Sequence, residues 1–426
     1  MPKIDRLTAA EILDSRGRPT VSATCLLDGG VAASASVPSG ASTGSSEALE
    51  LRDGDPARYH GLGCRKAVAN INGVIHGALA GRGFEDQAEL DRALIALDGT
   101  PNKSRLGANA TLAVSVAFAR AVAAQEGIPL YRYFSRIVGV QPDALPRLTI
   151  NLFSGGKHAG KQVATQDVLL VPVSSRTIDA SLVMTYDIYQ VAAELILKRY
   201  GMRLLTADEG GLAPPCNTAE EMIELALEAV TTAGYRPGSQ VALALDVAST
   251  HFYKDSAYHL DDGALDSRTM ISKLAGWVQR YPIVSVEDGL SEDDWSAWPA
   301  LCEALEGAAL VLGDDLLCTN PERIRRAIDA AACNALLLKP NQIGTLTEAA
   351  EAYRLARSAG WKITISVRSG ETEDNWAADL AAGWRGDQFK NGSITQSERL
   401  AKYNRLLAIE AETGAPLISR PFPRFF

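Results

Sequence analysis

Six charged residues each close an apolar run. Val241-Ala-Leu-Ala-Leu is followed by Asp246, Ile283-Val-Ser-Val by Glu287, Leu310-Val-Leu-Gly by Asp314, and Ala335-Leu-Leu-Leu by Lys339. Lys362-Ile-Thr-Ile-Ser-Val then leads to Arg368, and a weaker segment ends in Lys390. One such charge is explained by the solvated loop that it begins. Six in succession are not, and they place three carboxylates and three cations at equivalent positions.

Asp246, Glu287 and Asp314 are hard oxygen donors. They suit Mg²⁺ better than zinc, which favours histidine and thiolate. Mg²⁺ also tends to complete its shell with substrate oxygens, so a bound carboxylate or phosphate would finish the site. The competing reading is three surface acids pairing with lysines. Lys339 is the candidate general base: a neighbouring cation such as Lys390 and a divalent ion would both lower its affinity for the proton. The bland alternatives are a snorkelling lysine or a simple anion binder, and Lys390 suits the latter. Arg368-Ser369-Gly370 offers a guanidinium fork and a hydroxyl matched to a phosphate. The Ser/Gly-rich stretch from Pro38 to Gly44 could close over such a site, with Ser39 reaching a second metal, although stretches like it are more often plain connectors.

These residues need elements to hold them. From Met1 to about Tyr133, strand-like runs (Thr20 to Leu27, Val31 to Val37) precede helical ones, which predicts a small α+β domain. Val138 to Pro146 carries two prolines and little periodicity, so we divide the chain into residues 1–137 and 138–426. Beyond it, short apolar runs alternate with capped amphipathic helices. Thr218 with Glu221 and Thr345 with Glu348 read as capping boxes, Asn320-Pro321 as an N-cap with proline at N1, and Gly234 as a stop. Strand, loop, capped helix is the grammar of a barrel or of a wound sheet. Only a (β/α) barrel gathers all six strand-end charges on one face. No GxGxxG or GxxxxGK[ST] fingerprint supports a nucleotide fold.

Composition excludes several classes. With 426 residues, 46% of them apolar, the chain can bury a large core. A net charge of −9 and the lack of any dense basic run argue against nucleic acid and acidic membranes as partners. The N-terminus lacks an apolar signal region, and the most apolar stretch, Leu112 to Ala124, is interrupted by Arg120. Six scattered cysteines suggest reduced thiols and a cytoplasmic setting.

The motifs together resemble enolase over nearly the whole chain. They are Glu11-Ile-Leu-Asp-Ser-Arg-Gly17, Pro38-Ser-Gly-Ala-Ser-Thr-Gly44, Gly155-Gly-Lys-His-Ala-Gly160, Asp208-Glu-Gly-Gly211 and Leu245-Asp-Val-Ala-Ser249. Further along come Gly313-Asp-Asp-Leu316, Leu338-Lys-Pro-Asn-Gln-Ile-Gly-Thr345, Arg368-Ser-Gly-Glu-Thr-Glu-Asp374 and Ser397-Glu-Arg-Leu-Ala-Lys-Tyr403. The resemblance implies a modified (β/α)8 barrel with a smaller N-terminal α+β domain, and an assembly such as a homodimer or homo-octamer. It implies two Mg²⁺ sites, the second completed by substrate, and a small phosphorylated acid such as 2-phosphoglycerate. Asp246, Glu287 and Asp314 would hold the first metal, while Lys339 would remove the C2 proton. Lys390 would steady the substrate carboxylate, Arg368 and Ser369 the phosphate, and Ser39 would join the lid and the second metal. Glu209 would assist departure of the 3-hydroxyl, with Gln166, Asp167 and the mobile-loop His158 beside it.

The chain departs from the family pattern at two important places. Where enolases have Ser-His-Arg-Ser-Gly it has Ser366-Val367-Arg368-Ser369-Gly370, and where they have Gln-Glu it has Gln166-Asp167, a carboxylate shorter by about 1.5 Å. Lys157 for Ser or Glu, and Gly289 for proline, are lesser changes. Both larger changes fall at the hydroxyl end of the expected pocket. They point to a specialised relative, and carboxyphosphonoenolpyruvate synthase of phosphonate natural-product biosynthesis fits best. Its second substrate would be a nucleotide-activated phosphonoformate. An ordinary enolase and a silent binding protein on the same scaffold are the other two readings.

Overall fold

The computed structural model describes residues 1–41, 44–201, 205–261, 263–419 and 422. Ser42 and Thr43, within the expected lid loop, lie outside the described residues.

The chain opens with an antiparallel meander of β1 (Ile4–Leu13), β2 (Pro19–Leu27) and β3 (Ala32–Ser36). The second and third match the expected strand runs to within a residue at each end. In β2, Val21, Ala23, Cys25 and Leu27 are all buried, the period of two that a half-covered strand requires. The covering element is the helix Ala108–Gln125, which packs on β2 and β3 on one side and on the barrel on the other. This double contact explains why Leu112 to Ala124 reads as apolar all round. No described helix is long and apolar enough to cross a membrane.

A helix Leu130–Val138 ends at the left-handed Gly139, and residue 147 begins a closed eight-stranded barrel. Its strands are β4 (Arg147–Ser154), β5 (Asp167–Val171) and β6 (Ala242–Asp246), then β10 (Ile283–Glu287), β11 (Leu310–Gly313), β12 (Ala335–Leu338), β13 (Lys362–Ser366) and β14 (Gln388–Lys390). Between β6 and β10 a small meander intervenes, formed by β7 (Tyr253–Lys254), β8 (Ala257–Leu260) and β9 (Gly263–Leu265). Helices run along the outside, and Leu169, Ala242, Val284, Leu312, Leu337 and Phe422 belong to the cluster that fills the inside. Strands covered on both faces are expected to be continuously apolar, as β11 and β12 are and as β6 is up to Asp246.

The barrel is modified at its second strand. β5 runs antiparallel to both β4 and β6, whereas the other barrel pairs are parallel. The mouth that collects the C-terminal ends of seven strands therefore collects the N-terminal end of β5, where Asp167 sits. Asp167 pairs in register with Asp246 and with Ser154.

The helix caps expected from sequence are present. Thr218 accepts from Glu221 N, Thr345 from Glu348 N, and Asn320 from the amides of Glu322 and Arg323 ahead of Pro321. The N-terminal domain is joined to the barrel by buried or half-buried polar contacts: Arg120 to Asp374 at 2.6 Å, Lys103 to Glu348 at 2.7 Å, and paired backbone bonds between Ser39 and Gly370.

Candidate active site

The barrel mouth brings together all six strand-end charges. Asp246 and Glu287 are the last residues of β6 and β10, and Asp314 and Lys339 follow β11 and β12 directly. Arg368 lies two residues past β13, and Lys390 ends β14. All six are buried.

Lys390 Nζ lies 2.7 Å from Asp246 Oδ2 and 2.7 Å from Glu287 Oε2, so one ammonium bridges two of the proposed metal ligands. Lys339 Nζ lies 2.5 Å from Asp314 Oδ2, whose other oxygen accepts from Gln342 Nε2 at 2.7 Å. Burial alone would raise the Asp246 carboxyl, but Lys390 overrides it and holds the group down at about 2. Glu287 goes the other way: burial and the adjacent Asp246 push it well above the usual range, against Lys390.

The sequence reading expects Lys339 to lose its proton readily. In the geometry observed, burial favours that loss, yet the Asp314 carboxylate outweighs it and the Lys339 ammonium is strengthened. Lys339 meets one of the expected metal ligands in a salt bridge, a contact between strand ends that residue order along the chain does not reveal. Any base role for Lys339 therefore requires Asp314 to be engaged elsewhere.

These carboxylates fit Mg²⁺ by their chemistry. Asp246, Glu287 and Asp314 offer oxygen alone, and Gln166, bonded through Nε2 to Asp246 Oδ2 at 3.1 Å, has a buried Oε1 without a hydrogen-bond partner. Among the described residues these three do not themselves approach closely enough to share one ion: Asp246 and Glu287 are held by Lys390, and Asp314 belongs to a different acidic group. Asp288, Asp314 and Asp315 approach closely enough to share an ion, and Asp288 also accepts from the Asp314 and Asp315 amides at 2.9 and 2.8 Å. Burial and the neighbouring Asp314 lift Asp315 to about 8.

The Arg368–Ser369 side of the mouth is built from two domains. Arg368 grips Glu47 with both terminal nitrogens, at 2.8 and 3.1 Å, in the two-pronged manner it would offer a phosphate. Ser369 Oγ accepts from Ala41 N at 3.0 Å and from Arg16 Nη1 at 3.1 Å, while Arg399 holds the carbonyls of Arg368 and Ser369. Ser39 Oγ accepts from Arg52 at 2.6 Å and donates to Glu50 at 3.3 Å.

The third group is His158, Asp167 and Glu209. Asp167 Oδ1 accepts from Ser154 Oγ at 2.6 Å, and its Oδ2 lies 3.1 Å from His158 Nδ1. His158 Nε2 is 3.8 Å from Glu209 Oε1, and Glu209 Oε2 accepts from Asn151 at 3.1 Å. Burial disfavours an imidazolium here, but Asp167 and Glu209 reverse that and raise His158 to about 9. Val367 is buried beside Lys390, its amide donating to the Lys390 carbonyl at 3.3 Å.

Several supporting residues were not assigned roles from sequence. Arg16, Asp315, Gln342 and Arg399 lie inside the quoted motifs, so the signal was present without a geometry to interpret it. Glu47, three residues beyond the Ser/Gly-rich stretch, had no local signal at all. Against known families, the chain matches the model described as "Enolase, N-terminal domain" over residues 4–134 and that described as "Enolase, C-terminal TIM barrel domain" over residues 142–418.

Proposed function

This chain belongs to the enolase family, and from that premise we propose that it is a Mg²⁺-dependent enzyme acting at C2 of 2-phosphoglycerate or a phosphoenolpyruvate-like acid, with altered handling of the 3-hydroxyl end. Asp246, Glu287 and Asp314 would hold the metal, with Ser39 serving a second ion that the substrate completes. Bound there, Mg²⁺ would neutralise the carboxylate charge that builds as the C2 proton leaves.

Lys339 Nζ, released from Asp314 and having given up its own proton to solvent, takes that proton as a neutral amine. Lys390 orients the substrate carboxylate, while Arg368 and Ser369 exchange Glu47 and Ala41 for the phosphate oxygens. A cluster so costly in buried charge argues against a silent scaffold.

One observation carries the altered hydroxyl end. Both Asp167 oxygens are already engaged by Ser154 and His158, and Val367, beside Lys390, contributes only hydrocarbon. Hydroxide departure therefore lacks two polar partners, whereas proton removal at C2 keeps all of its own. The specialised role that fits best is carboxyphosphonoenolpyruvate synthase of phosphonate biosynthesis, which would transfer the phosphonoformate group from its nucleotide carrier to a three-carbon phospho-acid, the nucleotide leaving as the bond to it breaks.

A specific observation favours the second reading, ordinary dehydration of 2-phosphoglycerate. His158, protonated up to about pH 9, is an acid placed between Asp167 and Glu209. One assay separates the two readings. With 2-phosphoglycerate and Mg²⁺ in D₂O, C2 exchange without phosphoenolpyruvate absorbance supports the specialised enzyme, and brisk phosphoenolpyruvate formation removes it. Phosphorus NMR with the activated phosphonoformate then tests the second substrate.

A further inference from the structure

The N-terminal ends of β13 and β14 open on a cavity of ≈ 570 Å³, at the end of the barrel opposite the proposed catalytic carboxylates. Arg354, Arg357, Lys362 and Arg385 line it. Their carboxylate partners are few. Asp387 is buried and already accepts from Arg357 Nη1 at 2.5 Å and from the Ile363 amide at 2.8 Å; Lys362 reaches only that same group, at 4.0 Å. Arg385 Nε meets Asp143 at 2.9 Å, but the Asp143 side chain is 62% exposed, and an ion pair that open to solvent is worth little. Arg354 donates to the carbonyl of Ile137. Four cations thus face two carboxylates in a chain whose net charge is −9.

The remaining walls are mostly apolar or aromatic, Val140 from the interdomain segment, Ile418 from the C-terminal segment and Tyr353 among them, with the polar Ser419 beside Ile418. Guanidinium forks with an ammonium beside a hydrophobic wall suit a phosphate ester with an organic body. We propose that this cavity binds a phosphorylated small molecule of about nucleotide size, at a site separate from the catalytic pocket. Volume agrees, since small-ligand cavities span about 300–1,000 Å³. A nucleic acid is the poorer fit, because the cations line a concavity rather than a continuous stripe and the net charge repels a polyanion.

The test uses the whole protein in Mg²⁺-free buffer with EDTA, titrated calorimetrically with ATP and, separately, with inorganic pyrophosphate. Saturable binding of either, weakened about tenfold or more by Lys362→Glu, is the expected result; tenfold corresponds to about 1.4 kcal/mol. Lys362 has a side chain 41% exposed and no close ion pair, so the variant should fold, and its turnover without added ATP should be unchanged. Should it not fold, Arg354→Ala with Lys362→Ala is the substitute, with folding checked by circular dichroism. No binding of either probe, or binding unaffected by the substitutions, overturns the proposal. So does variant-sensitive binding of a single-stranded oligonucleotide when neither small probe binds.

Discussion

At the residue scale Val367 and Asp167 separate this chain from the family pattern, and substitutions there discriminate best between the two proposed readings. Val367→His combined with Asp167→Glu should restore polar partners there and raise dehydration of 2-phosphoglycerate by about 100-fold or more, the lower end of typical acid–base contributions. A double variant that folds and gains nothing would show that the hydroxyl end does not limit the reaction. Lys339→Ala should cut deuterium exchange at C2 by about 100- to 10,000-fold, measured by proton NMR. His158 permits a pH prediction. Its raised folded value means that the charged imidazole stabilises the fold fully below its ordinary value of 6.5, and that this contribution disappears as pH rises through about 9. The stability gap between the native protein and His158→Gln, from urea unfolding, should be widest at the acid end of that window and close above it. A gap that widens with pH would mean that His158 is neutral.

At the element scale, the parts the sequence announces are those governed by local chemistry. Thr218, Asn320 and Thr345 cap their helices as their side chains suggest, because a cap satisfies amides only a few residues away. Asn320 accepts from the Glu322 amide at 2.9 Å, and Asn320→Ala should cost about 1 kcal/mol of unfolding free energy in a urea titration. No change would mean that Pro321 alone fixes the helix start. The direction of β5 was not announced. An apolar strand reads the same in either sense, and only the partners chosen by the closed barrel reverse it. For that reason Asp167 reaches the mouth from the start of a strand, although the strand-end rule pointed only to C-terminal ends.

At the scale of the whole molecule, buried acids crowd one end of the barrel, and lysines and a histidine partly balance them. A divalent ion that binds this arrangement and not the unfolded chain must stabilise the fold, by about 2.7 kcal/mol at a hundredfold excess over its dissociation constant. Added Mg²⁺ should therefore raise the melting temperature, and Asp246→Asn with Glu287→Gln should abolish the increase. An equal increase in the variant would place the ion elsewhere. The family, the two-domain plan, the capped helices and the six strand-end charges are legible in the sequence, because these depend on residue type and short-range spacing. Which charge meets which is not: Lys390 on Asp246 and Glu287, Lys339 on Asp314, Glu47 on Arg368, and His158 between Asp167 and Glu209. Those partners lie from nine to more than three hundred residues apart along the chain. Their protonation depends on distance and burial, which exist only once the barrel has closed.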